Sequence, residues 1–192
     1  MEELITLLTQ FNDILKLQLE SFHEFVHILD MEEHAITLYQ FAEIEKSVVL
    51  KDQQTKVSQS YEEKRIRCLK KICYLMAFDS RGQNLSLPLF KTVFSTYVEN
   101  VKKLLTPEII EKLELLKNEF FQLSDDFTQS FENMSLRINR NQAILKKVLR
   151  HVNLSINLFQ SEASSGTNYD SLGKSQSIFN QKNPASSIRV TV

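Results

Sequence analysis

Glycine and proline are scarce, with three of each in 192 residues. The first glycine is Gly82 and the first proline is Pro88. Sheets need frequent turns, and turns draw on Gly, Pro and Asn-Gly pairs, so residues 1–80 exclude a strand-rich fold. Tryptophan is absent. The two cysteines, Cys68 and Cys73, stand five apart within a helical pattern. That is neither a CxxC pair nor a zinc spacing, and no disulfide framework follows from it. The longest apolar run, residues 72–78, is far too short to span a bilayer, so no membrane insertion is expected. The acidic start Met1-Glu2-Glu3 lacks the basic opening of a signal peptide, and a cytoplasmic setting is the default expectation. A formal net charge of −1 supplies no global field toward nucleic acid, and none is expected as a partner. Basic clusters such as Lys64-Arg65-Ile66-Arg67 have Glu62 and Glu63 beside them and read as a solvated helix face. With so few glycines there is no phosphate loop and no nucleophile elbow. No catalytic residue, cofactor or enzymatic activity is expected.

What is present is helical periodicity. Over residues 2–36, Leu4, Leu8, Phe11, Leu15, Phe22, Val26 and Leu29 fall near a spacing of three and four, one apolar stripe on a helix. Thr37 with Gln40 fits a capping box, which predicts a break there and a second helix to about residue 78. The middle of that helix, residues 51–64, has only Val57 and Tyr61 as larger apolar residues. It reads as a helix exposed on most sides, with a hairpin turn as the alternative. Residues 79–84 are a loop, and Pro88 suits the first turn of a third helix to about residue 105. Thr106-Pro107-Glu108 then starts a fourth, with a capping hydroxyl, a proline that loses nothing at the first position, and an acid at the positive dipole end.

The fourth helix has the strongest repeat in the chain. Ile109, Leu113, Leu116, Phe120, Leu123, Phe127, Phe131, Met134, Ile138, Leu145, Val148, Val152, Ile156 and Phe159 step by threes and fours and skip only Asn141. Such a stripe must face another helix. Unbroken to Phe159 it would run roughly 80 Å, so either the molecule is elongated or the helix bends near Ser124-Asp125-Asp126. Asn141 either faces a solvated rim or is buried and sets register with a partner helix. From Ser161 onward Ser, Asn, Gln and Gly take over and the repeat stops. The expected class is therefore all-α: an elongated antiparallel helical bundle or coiled coil over residues 1–160, with a long C-terminal helix and a disordered, Ser/Asn-rich tail over 161–192.

One metal motif occurs by letter. His23-Glu24-Phe25-Val26-His27 matches HExxH, in which two histidines one turn apart grip zinc and the glutamate acts as base. Its extended form needs glycine and histidine where this chain has Asp30 and Glu33, and His34 is out of step. Glu20 with His23 and Glu24 with His27 also resemble half of a di-iron carboxylate site, but the other half is missing: Val148, not Glu, precedes His151 by three. No metal site is expected.

The ordered pieces resemble the flagellar export chaperone family, the FlgN type. They are residues 37–41, then Glu45-Lys46-Ser47-Val48-Val49-Leu50, then Glu63-Lys64-Arg65. Further on come Ile138-Asn139-Arg140-Asn141-Gln142-Ala143-Ile144-Leu145, a tail tyrosine in Thr167-Asn168-Tyr169-Asp170-Ser171-Leu172-Gly173-Lys174, and the basic, β-branched end Ile188-Arg189-Val190-Thr191-Val192. The chain departs from the family at residues 84–106, which are longer than its usual connector. The resemblance implies a cytosolic chaperone for hook-associated (hook–filament junction) proteins, delivered to the flagellar export gate and its ATPase-associated components. It implies client contact through Ile138, Asn141, Leu145, Val148, Val152, Ile156 and Phe159, and gate docking through Tyr169. Monomer and homodimer both fit. A structural coiled coil that assembles with itself or a scaffold is the alternative.

Overall fold

Helix α1 (Glu2–Thr37) and helix α2 (Phe41–Leu75) form a hairpin whose turn contains no glycine. The computed structural model describes residues 1–79, 85–164, 168–169 and 175–176. At the end of α1, Tyr39 takes a left-handed φ of 56°. Its N–H donates to Ile36 O at 3.2 Å, and the Gln40 N–H donates to Ala35 O at 2.9 Å. These are the paired bonds of a Schellman C-cap, which satisfy the last carbonyls of the helix. The end of α2 repeats the device. Ala77 has φ 54°, its N–H donates to Tyr74 O at 3.0 Å, and the Phe78 N–H donates to Cys73 O at 2.9 Å. The expected capping box at Thr37 is therefore replaced. The Thr37 hydroxyl donates back to Glu33 O at 2.8 Å inside α1, and α2 begins at Phe41 with no side-chain cap. It ends at Leu75, not Phe78, because the left-handed Ala77 stops it.

Helix α3 (Leu87–Val101) has Pro88 in its first turn, as its sequence suggests, and the Ser86 hydroxyl caps it by accepting from the Leu89 N–H at 3.4 Å. Helix α4 (Pro107–Ser164) passes Ser124-Asp125-Asp126 without a break. Asn168–Tyr169 pairs antiparallel with Ser175–Gln176, a two-residue ladder that leaves the class all-α. Most of the tail expected over 161–192 lies outside the described residues. The chain divides into two units, Met1–Lys146 and Lys147–Val192. No helix among the described residues is long and apolar enough to cross a membrane.

Within the first unit the contacts set the directions. Gln18 meets Glu62, Ser21 meets Ser58 and Glu32 meets Lys51, so α1 and α2 are antiparallel. Lys91 meets Asp125 and Lys102 meets Glu114, so α3 and α4 are antiparallel too. Between the hairpins the sense differs. Asn12 meets Glu119, Phe22 meets Phe131 and Asp30 meets Arg137, rising together along both helices, so α1 and α4 run parallel. In keeping with this, Leu85 and Leu87 at the start of α3 line one cleft with Ile66 of α2, and α3 runs in the same direction as α2.

The core lies where all four helices meet. Leu4, Leu8, Phe11 and Leu15 of α1 pack with Leu69, Ile72 and Cys73 of α2, Phe90, Phe94 and Val98 of α3, and Leu113 and Phe120 of α4. Phe11, Phe90 and Phe120 form a ring triangle with centroids 5.1 to 5.6 Å apart, inside the range where aromatic pairs attract beyond their buried area. Burial also raises the thiol pKa of Cys68 and Cys73, as expected of inert core cysteines.

A left-handed alanine carries a steric cost that glycine lacks. Ala77→Gly should raise the unfolding free energy by about 1 kcal/mol, read from urea titrations at an unchanged m-value.

Candidate functional site

Two surfaces stand out once the core is placed. The first is a groove between α2 and α4. Helix α3 fills the space between them only as far as its start at Leu87. Beyond that point the seam stays open. A cleft of about 790 Å³ lies against the start of α3, lined by Glu62, Arg65, Ile66 and Lys70 of α2, residues 85–88, and Phe127, Thr128 and Phe131 of α4. A second of about 470 Å³ shares Glu62, Arg65, Phe127 and Phe131 with it and adds Phe22, Phe25 and Met134. A third of about 190 Å³ shares Phe25 and reaches Ile138, Asn141 and Leu145. Together they follow α4 from residue 127 to 145, about 27 Å at the helical rise.

The groove exists because the middle of α2 is polar. Residues 51–64, read as a mostly exposed helix, are helical and hold α1 through hydrogen bonds instead of apolar packing. Gln54 Nε2 donates to Ser21 O at 2.9 Å, the Ser21 and Ser58 hydroxyls are 2.7 Å apart, and Gln18 Nε2 donates to Glu62 at 3.0 Å. Lys51 pairs with the buried Glu32. Such a helix side has no large apolar residue to fill the seam, so the phenyl rings on α1 and α4 remain as a floor. Arg65, at 8% exposure, is the most buried charge on the α2 side. It grips Glu62 with two bonds of 2.8 and 2.6 Å and lies 5.8 Å from the Phe127 ring centre. Burial pushes the Glu62 carboxyl up, but the Arg65 and Gln18 hydrogen bonds outweigh it, and the pKa is lowered.

The second surface is the end of α4. Of the residues the resemblance groups for client contact, Ile138, Leu145, Val148 and Val152 are half-buried, while Ile156 and Phe159 are 46% and 72% exposed. Leu149, Leu154 and Leu158, off that stripe, are exposed as well, so apolar surface wraps much of this helix end. Asn141 stands apart. It is buried at 4% exposure, and its Nδ2 donates to Leu29 O at 2.7 Å and to Glu32 at 3.0 Å. The register reading is the one realised, and the partner helix is the chain's own α1. Tyr169 lies in the short ladder, and its side chain is outside the described residues. His23, Glu24 and His27 sit exposed on α1, and no group of three metal-ligating residues forms among the described residues.

No protein-family model, curated protein or solved structure matches the chain. The functional reading therefore rests on these surfaces and on the pattern of the sequence.

Sequence reasoning missed the groove and the polar residues beside it. Asn12, Gln18, Ser21 and Glu32 of α1 are all buried, yet they interrupt the apolar stripe and were not singled out. Three of them face the polar middle of α2, Gln18 at Glu62, Ser21 at Gln54 and Ser58, and Glu32 at Lys51, whereas Asn12 faces α4.

The acid dependence of stability follows from the carboxylates. Glu119, bonded first by Lys16 and then by Asn12, and Glu114, bonded first by Lys117 and then by Lys102, also have lowered pKa values. A depressed carboxylate contributes stability that is present above its unfolded pKa and is lost as pH falls through the folded value. The urea midpoint should therefore hold at neutral pH and fall once pH drops below the ordinary carboxylate range. Glu119→Gln should flatten part of that fall; an unchanged pH profile would show that Glu119 carries none of it.

Proposed function

We propose that this chain is a helical chaperone that binds amphipathic helical segments of client proteins, and that its clients are hook–filament junction proteins on their way to the flagellar export gate. The observation that carries the binding part is the end of α4. Ile156, Leu158 and Phe159 expose large apolar side chains on one helix, with Leu158 at 65%. Contiguous exposed apolar surface marks an interaction site, and an amphipathic helix is the partner that such a ridge suits. The client class and the gate come from the resemblance alone: the ordered motifs over residues 37–65 and 138–145 and the tail around Tyr169. The setting in this reading is the cytosol, and the chaperone is not an enzyme.

Asn141 takes a different part from the other client residues. Its Nδ2 donates to Leu29 and Glu32, and that half of the amide holds α4 on α1. The client face then begins with the half-buried Leu145, Val148 and Val152 and strengthens toward Ile156 and Phe159.

The full chain mixed with the terminal helical segment of a junction protein should elute as one complex on size exclusion. Ile156→Asp with Phe159→Asp should weaken that complex by about a hundredfold, since two large apolar contacts are lost at about 1.5 kcal/mol each. Both residues are exposed, so folding should survive, with helicity by circular dichroism as the check. A complex indifferent to the pair would defeat the reading. Light scattering of the chain alone showing large assemblies would favour the structural coiled coil instead.

Tyr169→Ala should leave client affinity unchanged and reduce client export in a secretion assay. Loss of client affinity in that variant would mean the tail belongs to the client site.

A further inference from the structure

Three buried side-chain polar atoms have no hydrogen-bond partner among the described residues: Gln18 Oε1, Arg65 Nη1 and Asn141 Oδ1. All three residues line the groove between α2 and α4. Their assignments follow from their other bonds. Gln18 Nε2 donates to the Glu62 carboxylate and Asn141 Nδ2 to two acceptors, so in each the remaining oxygen is the orphan. Arg65 spends Nε and Nη2 on Glu62 and keeps one arm of its fork without an acceptor. Most buried polar groups are satisfied, and here all three exceptions belong to residues of one groove.

We propose that this groove holds an amphipathic helix of a partner protein, lying in line with α3. Its apolar face meets Phe22, Phe127 and Phe131, a carboxylate meets Arg65 and Lys70, and side-chain N–H or O–H donors meet Gln18 and Asn141. Continuity with α3 argues for a helix. α3 already sits between α2 and α4, with Phe90 against Phe120, and the groove is the same seam continued past Leu87. At about 27 Å it accepts about 18 residues, five turns. Charge argues for an acid at the α3 end. Glu62 is the acid there, and Arg65 and Gln18 already engage it; the Arg65 arm, the Lys70 ammonium and the positive end of the α3 dipole remain. Charge also argues against a second copy offering its own α4 end. The charged residues of segment 147–160 are Lys147 and Arg150, which would bring like charge to Arg65 and Lys70.

This inference extends the reading of the chain as a binder of helical segments, and its test is separate from that one. Two fluorescein-labelled peptides of about 18 residues carry the same leucine stripe and differ in one end turn, glutamate in one and lysine in the other. Anisotropy titrations use the full chain. The glutamate peptide should bind about tenfold tighter than the lysine peptide. Lys70→Glu should abolish or reverse that preference. Phe131→Glu, at a half-exposed groove position, should weaken both peptides, with helicity by circular dichroism as the folding check. Ile156→Asp with Phe159→Asp should leave both unchanged. Equal affinity for the two peptides, indifference to Phe131→Glu, or loss confined to the Ile156 and Phe159 pair would overturn the proposal. So would a dimer by light scattering that Phe131→Glu splits, because the occupant would then be a second copy.

Discussion

The registration of α4 on α1 is the constraint that everything else in the first unit depends on. Two asparagines set it in reciprocal fashion. Asn12 of α1 reaches across to Leu116 O and Glu119 of α4, and Asn141 of α4 reaches across to Leu29 O and Glu32 of α1. Both amides are buried, so a slip along the seam would leave each with unmet donors in an apolar setting. Parallel apolar stripes alone tolerate such slips, because one leucine or phenylalanine replaces another one turn on. The two amides remove that tolerance near both ends of the contact. With register held, Phe11 meets Phe120 and Phe22 meets Phe127 and Phe131, and the position of every ring in the core and in the groove follows.

The same seam passes through two different surroundings. Near the start of α1 four helices enclose it, and Phe11, Phe90, Phe94 and Phe120 leave no open surface. Toward the end of α1 only α2 and α4 flank it, and the α2 side offers Gln54, Ser58 and Glu62 in place of large apolar groups. Each of these hydrogen bonds replaces one to water in the unfolded chain and contributes about 1 kcal/mol net, less than a fully buried phenyl ring. Stability is therefore concentrated at the aromatic end. The other end is where opening costs least, which is the usual place for a binding surface in a small domain.

The sequence disclosed some of this and concealed the rest for identifiable reasons. The stripe from Ile109 to Phe131 was plain, because α4 buries one face and repeats at three and four. The start of α3 was plain as well, through Pro88, although the Ser86 cap went unread. The place of the break after Thr37 was read, but the way both helices end was hidden, because Tyr39 and Ala77 adopt backbone angles that normally announce themselves as glycine. The paired Schellman bonds at each helix end offset the strain, and no residue type records them. The parallel sense of α1 and α4 was also hidden. It depends on where residues 85–87 return along α2, a tertiary fact with no local pattern. The candidate site was legible in outline only. Exposure of Ile156 and Phe159 follows from an apolar repeat that outruns its neighbours, whereas the groove arises from what α2 lacks, and an absence on one helix acquires meaning only when its partners are known.

Arg65 shows why that absence is better read as a site than as a poorly filled core. A leucine at this position would pack on Phe127 without the desolvation that a guanidinium incurs, and exchanging buried ion pairs for apolar residues is often neutral or stabilising. Here the pair is also incomplete, since Nη1 finds no acceptor among the described residues. Local choices that lower stability tend to persist where something other than stability is gained. The gain available to Arg65 is geometric. Glu62 fixes two of its nitrogens in a bidentate grip, so the third is held in place before any acceptor arrives, and little side-chain entropy remains to be lost on contact. An arginine free in solvent would attract an acid with equal charge and far less direction. A pre-positioned donor beside an apolar floor discriminates between helices that share the same leucines and differ by one carboxylate, which apolar contact alone does not do.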